Sequence, residues 1–366
     1  MNVNYVLLLY LIGLVSLWNE LKNRKHLLLI TIVFFIVFVM SVFSRINNYP
    51  SYADLGAYLY RFQNSIDSYF GFGYRILTKA VRYFFSNNKY ALMFIISTIN
   101  FTSVYLAAKY FKEGSSDGIE ESSIRQNKSK FIGTFLFLYS MYWGLSFTSE
   151  VIRTGIAISI SILAIALVNS HKKLAFLFFS VSVLFHWTQI FLAPFLYILY
   201  REEKYKVIPL YIFVLWFFFI VTGDFVNVSA LIVNILIVPL KWLLEVFNLS
   251  SHYSIYLVTF ERISLFSYVS RQYLFYMFLA IVFLFGDMNN RKYNIFVFGY
   301  FLGLTIFTLL NSLLAITRMQ WIYLVLSIYV IYLFASLNNK FSFTIKGILV
   351  SGIVLLQTIM AILYLK

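Results

Sequence analysis

The sequence contains no cysteine, which excludes disulfides, thiol catalysis and thiolate metal sites. Charge is scarce too: Asp, Glu, Lys and Arg make up 12% of residues, against about a quarter in a soluble domain. Histidine is scarcer still, with four in 366 residues. No His-x-x-x-His motif, paired acids or acid–histidine cluster falls within one loop, so neither a metal nor a cofactor is expected. The chain shows no repeat of transporter type and no Gly/Pro-interrupted spans in matching halves. The first apolar run, residues 3–18, lacks a basic lead-in and a small-residue cleavage site, and reads as a retained span.

What the sequence does have is apolar length. Hydrophobic residues make up 61% of the chain, and a bilayer core of about 30 Å takes about 20 apolar residues per helix. Runs approaching that length recur at 3–18, 26–43, 90–111, 131–147, 152–168, 207–222, 273–285, 294–313, 320–337 and 345–365. The expected fold is an all-α polytopic membrane protein, a single integral membrane domain over 1–366 with about 11–12 transmembrane or re-entrant helices. The net charge of +15 largely reflects the excess of Lys and Arg in cytoplasmic loops. The expected partner is therefore the lipid bilayer and not nucleic acid, and the arginines on the outer side are the informative ones.

Lysine and arginine positions orient the chain. If the basic turn 19–26 is cytoplasmic, so are the loop 112–130, the turn 171–173, and residues 287–292 and 338–340. The outer face then receives 44–89, 148–151, the large loop 223–272, and 314–319. Residues 174–200 test this scheme, because Lys172-Lys173 and R-E-E-K-Y-K (201–206) flank them on both sides. One straight helix of about 40 Å would export the second basic cluster. Two shorter helices breaking near His186 would keep both clusters inside and place His186 at an outward-facing tip, an arrangement tolerated where backbone lines a cavity.

Three outer constellations carry polar residues. In 44–89, Tyr58, Phe62, Ile66 and Tyr69 recur at helical spacing, as do Tyr74, Leu77, Val81 and Phe84. Two interfacial amphipathic helices broken at Gly71 and Gly73 account for this. Arg61, Asp67, Arg75, Lys79 and Arg82 suit ordinary snorkelling there, whereas Asp54, beside Tyr52 and Tyr58, is an equal candidate for function. In S-F-T-S-E-V-I-R-T-G-I-A (146–157), Glu150 and Arg153 share a helical face and suit a local ion pair. An outer arginine at a helix start also suits an anion, since its planar fork matches phosphate oxygens. The segment A-I-T-R-M-Q-W-I-Y (315–323) repeats the theme with Arg318 and Tyr323, and the large loop adds Glu261, Arg262 and Arg271.

His186 lies inside V-L-F-H-W-T-Q-I-F-L-A-P-F (183–195). A buried histidine can be a neutral packing residue. Within a membrane, however, ionisable groups are costly and functional by default, and an ordinary pKa near ~6.5 suits a general base.

The acid and tyrosine after the second span (Asp54, Tyr58), the stretch E-V-I-R-T-G-I-A-I-S-I-S-I-L-A (150–164), and F-H-W-T-Q-I-F-L-A-P (185–194) together resemble the EpsG-like branch of Wzy-type polysaccharide polymerases. Arg153, Ala157, His186 and Pro194 match the family's pattern. Thr154 stands where glutamine is common, and Trp187-Thr188 replaces the usual pairing. R-M-Q-W-I-Y-L from Arg318 resembles a late arginine–aromatic motif of the same family. The resemblance implies a GT-C-like architecture, similar to Wzy and O-antigen ligases, and a multi-pass protein of the bacterial inner membrane with its active site facing the periplasm. It also implies a glycosyltransferase that moves a growing O-antigen or capsule glycan from undecaprenyl diphosphate to a sugar hydroxyl of the next lipid-linked repeat unit, with a chain-length regulator as an accessory partner. On this reading His186 is the base, with Asp54 or Glu150 competing. Arg153 and Arg318, joined by Arg262 or Arg271, stabilise the diphosphate, Tyr58 and Tyr323 line the substrate groove, and no metal is needed. A lipid-linked oligosaccharide flippase, an O-antigen ligase and a membrane-bound acyltransferase remain as alternatives.

Overall fold

Apolar runs with polar breaks become helices with polar tips. A computed structural model describes residues 2–22, 28–46, 54–66, 71–111, 132–201, 271–310, 321–337 and 342–364, with a few positions between 235 and 242. The elements among them are helical, with no strand. Val3–Leu21, Leu28–Ile46, Lys89–Tyr110 and Phe343–Leu363 are long and apolar enough to cross a membrane, and shorter apolar helices accompany them. The chain is an all-α polytopic membrane protein. The expected loop 112–130, the span 207–222 and nearly all of 223–272 lie outside the described residues.

The chain forms two compact units, residues 1–200 with 331–366, and residues 201–330. The first contains α1 (Val3–Leu21), α2 (Leu28–Ile46), α3 (Asp54–Gln63), α4 (Phe72–Phe85), α5 (Lys89–Tyr110) and α6 (Ile132–Tyr139). A π-helical turn, Ser140–Gly144, joins α6 to α7 (Leu145–Ser149), followed by α8 (Ile152–Leu167) and α9 (Lys172–Phe185). A 3₁₀ segment, Trp187–Leu192, leads into α10 (Ala193–Tyr200). In the second unit, α11 (Arg271–Leu284) and α12 (Arg291–Leu310) are joined by Tyr300, whose hydroxyl donates to the Tyr276 carbonyl at 2.8 Å. The chain ends in α13 (Ser327–Leu337) and α14 (Phe343–Tyr364).

Buried polar side chains tie the first unit together. Glu20, 1% exposed, caps α6 from another helix. Its two oxygens accept from the backbone N–H groups of Gly133 (2.7 Å) and Thr134 (2.8 Å), and from the Thr134 hydroxyl (2.7 Å). A carboxylate there satisfies orphan donors and the positive end of the helix dipole. Position 133 has to be glycine, because a Cβ would lie 1.7 Å from Ser16 Oγ. The sequence shows Glu20 only as one member of a basic turn.

Two helical hairpins shape the opposite end of this unit. The first turns at Glu150–Val151 and brings α8 back against α7 so closely that a Cβ on Gly155 would meet the Phe147 carbonyl oxygen at 2.1 Å. Further from the turn, the hydroxyls of Tyr139 on α6 and Ser159 on α8 lie 2.6 Å apart. The second hairpin breaks at His186. A straight helix would hold the ends of 172–200 about 40 Å apart, yet Lys172 Nζ donates to the Tyr200 hydroxyl at 3.3 Å and sits 4.4 Å from its ring centre. The segment is therefore a broken hairpin with Lys172 and Tyr200 at one end, the break that the charge parity predicts near His186.

The amphipathic pair differs in detail from the expected spacing. α3 ends at Gln63, where Ser65 takes a left-handed φ of 59° and Ile66 N–H bonds back to the Arg61 carbonyl at 2.9 Å. That C-terminal turn removes Ile66 from the stripe. In α4 the buried face is Gly73, Tyr74, Thr78 and Val81, and Phe84 is exposed. Apolar content alone does not tell a protein-facing side from a lipid-facing one.

The Gly155 contact generates a stability prediction. Gly155→Ala should destabilise the protein by about 1–3 kcal/mol through overpacking against backbone. Gly352→Ala, with nothing within 4 Å of the new methyl, should be neutral or gain about 0.5–1 kcal/mol from helix propensity. Thermal unfolding of the two variants in detergent provides the comparison.

Candidate active site

The end of the first unit that carries both hairpin tips also receives the last turn of α2 and helices α3 and α4. Arg45, in that last turn, is almost fully buried, and its Nη2 donates to Glu150 Oε1 at 2.6 Å. Glu150 thus makes a long-range ion pair with α2, which an i,i+3 spacing does not reveal. The position also sets the Arg45 cation at a helix C-terminus, where the dipole favours it. Asn100 Nδ2 on α5 donates to the Thr148 hydroxyl at 2.9 Å and fixes the tip from the other side.

Arg153 occupies the first turn of α8 and points to α3. Its Nε donates to the Tyr58 hydroxyl at 2.8 Å, with the guanidinium carbon 5.5 Å from that ring. Tyr58 meets Tyr74 of α4 edge to face at 5.6 Å. One residue before Tyr74, a Cβ on Gly73 would lie 3.1 Å from the Leu184 carbonyl carbon and oxygen, and one on Gly71 would lie 3.2 Å from the Phe185 carbonyl oxygen. The two glycines thus let α4 rest on the backbone just before His186. A continuous path of contacts runs from the second hairpin tip through Tyr74 and Tyr58 to Arg153.

His186 caps the C-terminus of α9 in an extended conformation, φ −151° and ψ 113°, and is 8% exposed. Its Nδ1 lies 2.7 Å from the Thr188 hydroxyl. When Nδ1 carries the proton and donates to Thr188, Nε2 is the lone-pair nitrogen that a general base needs. Gln189, one 3₁₀ turn further on, accepts from Ser161 Oγ of α8 at 2.8 Å and pins the tip to that helix. The Gln189 Nε2 is buried with no hydrogen-bond partner among the described residues.

The structure thus brings Tyr58, Glu150 and Arg153 into one cluster, with the His186 tip reached through α4. Asp54 is the first residue of α3 and Arg271 the first of α11, and their side chains lie outside the description. Arg262 and Arg318 also lie outside the described residues. Tyr323, in the second unit, is buried against Gly303, where a Cβ would meet the Tyr323 Cβ at 2.5 Å. Arg45 is the member that the sequence reading did not single out. It carries the same signal as Arg153, a cation at a span end that opposes the cytoplasmic bias.

A family model described as the EpsG family matches residues 26–366, which include all of these positions. The chain belongs to the EpsG family. This membership supports a role in polysaccharide biosynthesis of a polymerase-like kind. No curated protein and no solved structure matches the chain. In this EpsG protein the matched region opens just before α2, so the Arg45–Glu150 pair lies wholly within it and the Glu20 cap does not.

Arg45→Met leaves the Glu150 carboxylate without its buried cation and should cost about 2 kcal/mol or more, less than a fully buried pair because Glu150 is partly exposed. The double variant Arg45→Met/Glu150→Leu should recover most of that loss. A double-mutant cycle on unfolding free energy measures the coupling.

Proposed function

We propose that this protein is a polysaccharide polymerase of the bacterial inner membrane. It transfers a growing O-antigen or capsule glycan from undecaprenyl diphosphate to a sugar hydroxyl of the next lipid-linked repeat unit, at the periplasmic face. The observation that carries this reading is the pairing of a cation and a base at one end of the bundle. Arg153 is held by Tyr58, and the contacts through Tyr74 and α4 lead to the His186 tip. Family membership independently favours the same class of chemistry.

The reaction divides between these groups. The donor's anomeric carbon–oxygen bond breaks and the electron pair leaves with the diphosphate, whose growing charge Arg153 stabilises, joined by Arg318 and by Arg262 or Arg271. The acceptor oxygen forms the new glycosidic bond, and its proton passes to Nε2 of His186. Asp54 and Glu150 are the competing bases. The ion pair with Arg45 already engages the Glu150 carboxylate, which favours His186. Guanidinium groups carry the anion-stabilising task, so the mechanism needs no metal. Tyr58 and Tyr323 belong to the proposed groove for sugar and polyprenyl.

His186→Ala should abolish the polymer ladder in a polymerase-null strain while single repeat units are still displayed. Arg153→Lys should shorten the ladder, because an ammonium cannot reproduce a bidentate fork. Wild-type ladder lengths from both variants would sink the reading. Loss of every displayed unit would instead indicate a flippase. In purified protein, elongation should fall at acidic pH, because protonation of the His186 imidazole removes the base. Initial rates over a pH series check that sign.

A further inference from the structure

Transfer between two lipid-linked glycans engages two diphosphate lipids at once, and the Arg153 contact serves only the donor. Further cations at this end of the first unit lie on α4, whose 14 residues divide into two faces. Gly73, Tyr74, Thr78 and Val81 are buried. Phe72, Ile76 and Tyr83 are exposed, Tyr83 by 85%, and Arg75 and Lys79 are exposed along the same stripe. Counted from Phe72 the other four fall three, four, seven and eleven residues on and so share one side of the helix. Arg82 lies over the Phe62 ring at 5.4 Å. Arg75 and Lys79, by contrast, have no ion-pair partner among the described residues.

We propose that this face of α4 holds the acceptor lipid, with Arg75 and Lys79 on its diphosphate and its polyprenyl chain along Phe72, Ile76 and Tyr83. The inference rests on the polymerase reading and deepens it by assigning the second substrate a place. Charge complementarity favours this occupant, since a diphosphate diester carries a negative charge on each phosphorus and two cations one turn apart bracket it. Aromatic and aliphatic side chains interleaved with cations suit the boundary between headgroups and acyl chains. Gly71 and Gly73 seat the start of α4 on the backbone of Leu184 and Phe185, so a lipid gripped at Arg75 on the outer face of α4 is held about one helix diameter, roughly 10 Å, from the hairpin tip that carries the base.

The test uses native mass spectrometry of the full chain in nanodiscs with undecaprenyl diphosphate as the probe. Wild type should retain two lipids, Arg75→Gln/Lys79→Gln one, Arg153→Gln one, and the triple variant none. Arg75 and Lys79 are exposed, so the double variant should keep the wild-type melting temperature. Retention of both lipids by the double variant overturns the proposal. So does a single wild-type lipid that Arg153→Gln alone removes, an outcome that leaves the polymerase reading standing. Equal displacement of the second lipid by phosphatidylglycerol also overturns it, in favour of a general anionic-lipid contact. Absence of any binding by wild type fails the diphosphate reading itself.

Discussion

A backbone inside a bilayer has no water to satisfy its N–H and C=O groups, so a helix can break there only where protein supplies the missing contacts. The polar end of this EpsG protein has two helix breaks, at Glu150–Val151 and at His186, and contacts within the protein brace each of them. At the first break, Gly155 lets α8 fold tightly against α7, and Asn100 holds Thr148 from the side. At the second, the start of α4 covers the last carbonyls of α9 through two glycines, and Gln189 ties the 3₁₀ turn to Ser161. Each break is braced by elements distant in sequence, which is why the tips can carry ionisable groups in defined positions.

Charge is handled differently at the two ends of the unit. Glu20 is neutralised locally by helix N–H groups at α6, an arrangement that fixes helix position and leaves no charge to spare for a ligand. At the hairpin end, Glu150 is matched by Arg45. A buried pair of this kind adds little net stability but penalises any arrangement that separates its members. It therefore specifies where the tip sits relative to α2, while the Tyr58 hydroxyl orients Arg153 by accepting from its Nε.

The sequence made the broken hairpin legible because two basic flanks around one apolar run conflict with a single crossing. The helices of the first unit and the glycine break between α3 and α4 were legible for similar reasons of spacing and turn chemistry. What escaped reading has a common physical cause. The partner of Glu150 is 105 residues away in sequence, and helical periodicity reports only neighbours three or four residues apart. Within the expected stripe of α4, Tyr74 and Val81 are buried and Phe84 is exposed, because in a membrane protein an apolar side chain has two suitable surroundings. Glu20 was hidden within a run of charges, and nothing in its own segment points to the α6 N-terminus.

Placing His186 at a hairpin tip also has a chemical consequence that a straight span would not provide. In mid-helix its ring would lie along the helix surface, against lipid or a neighbouring helix. At the C-cap the backbone is extended, and Thr188, two residues on, reaches back to Nδ1 at 2.7 Å. That contact fixes the ring from its own loop and leaves Nε2 on the opposite edge. The break in the helix is therefore what allows one short segment to supply the histidine, its orienting hydroxyl and, through Gln189, its anchor to α8.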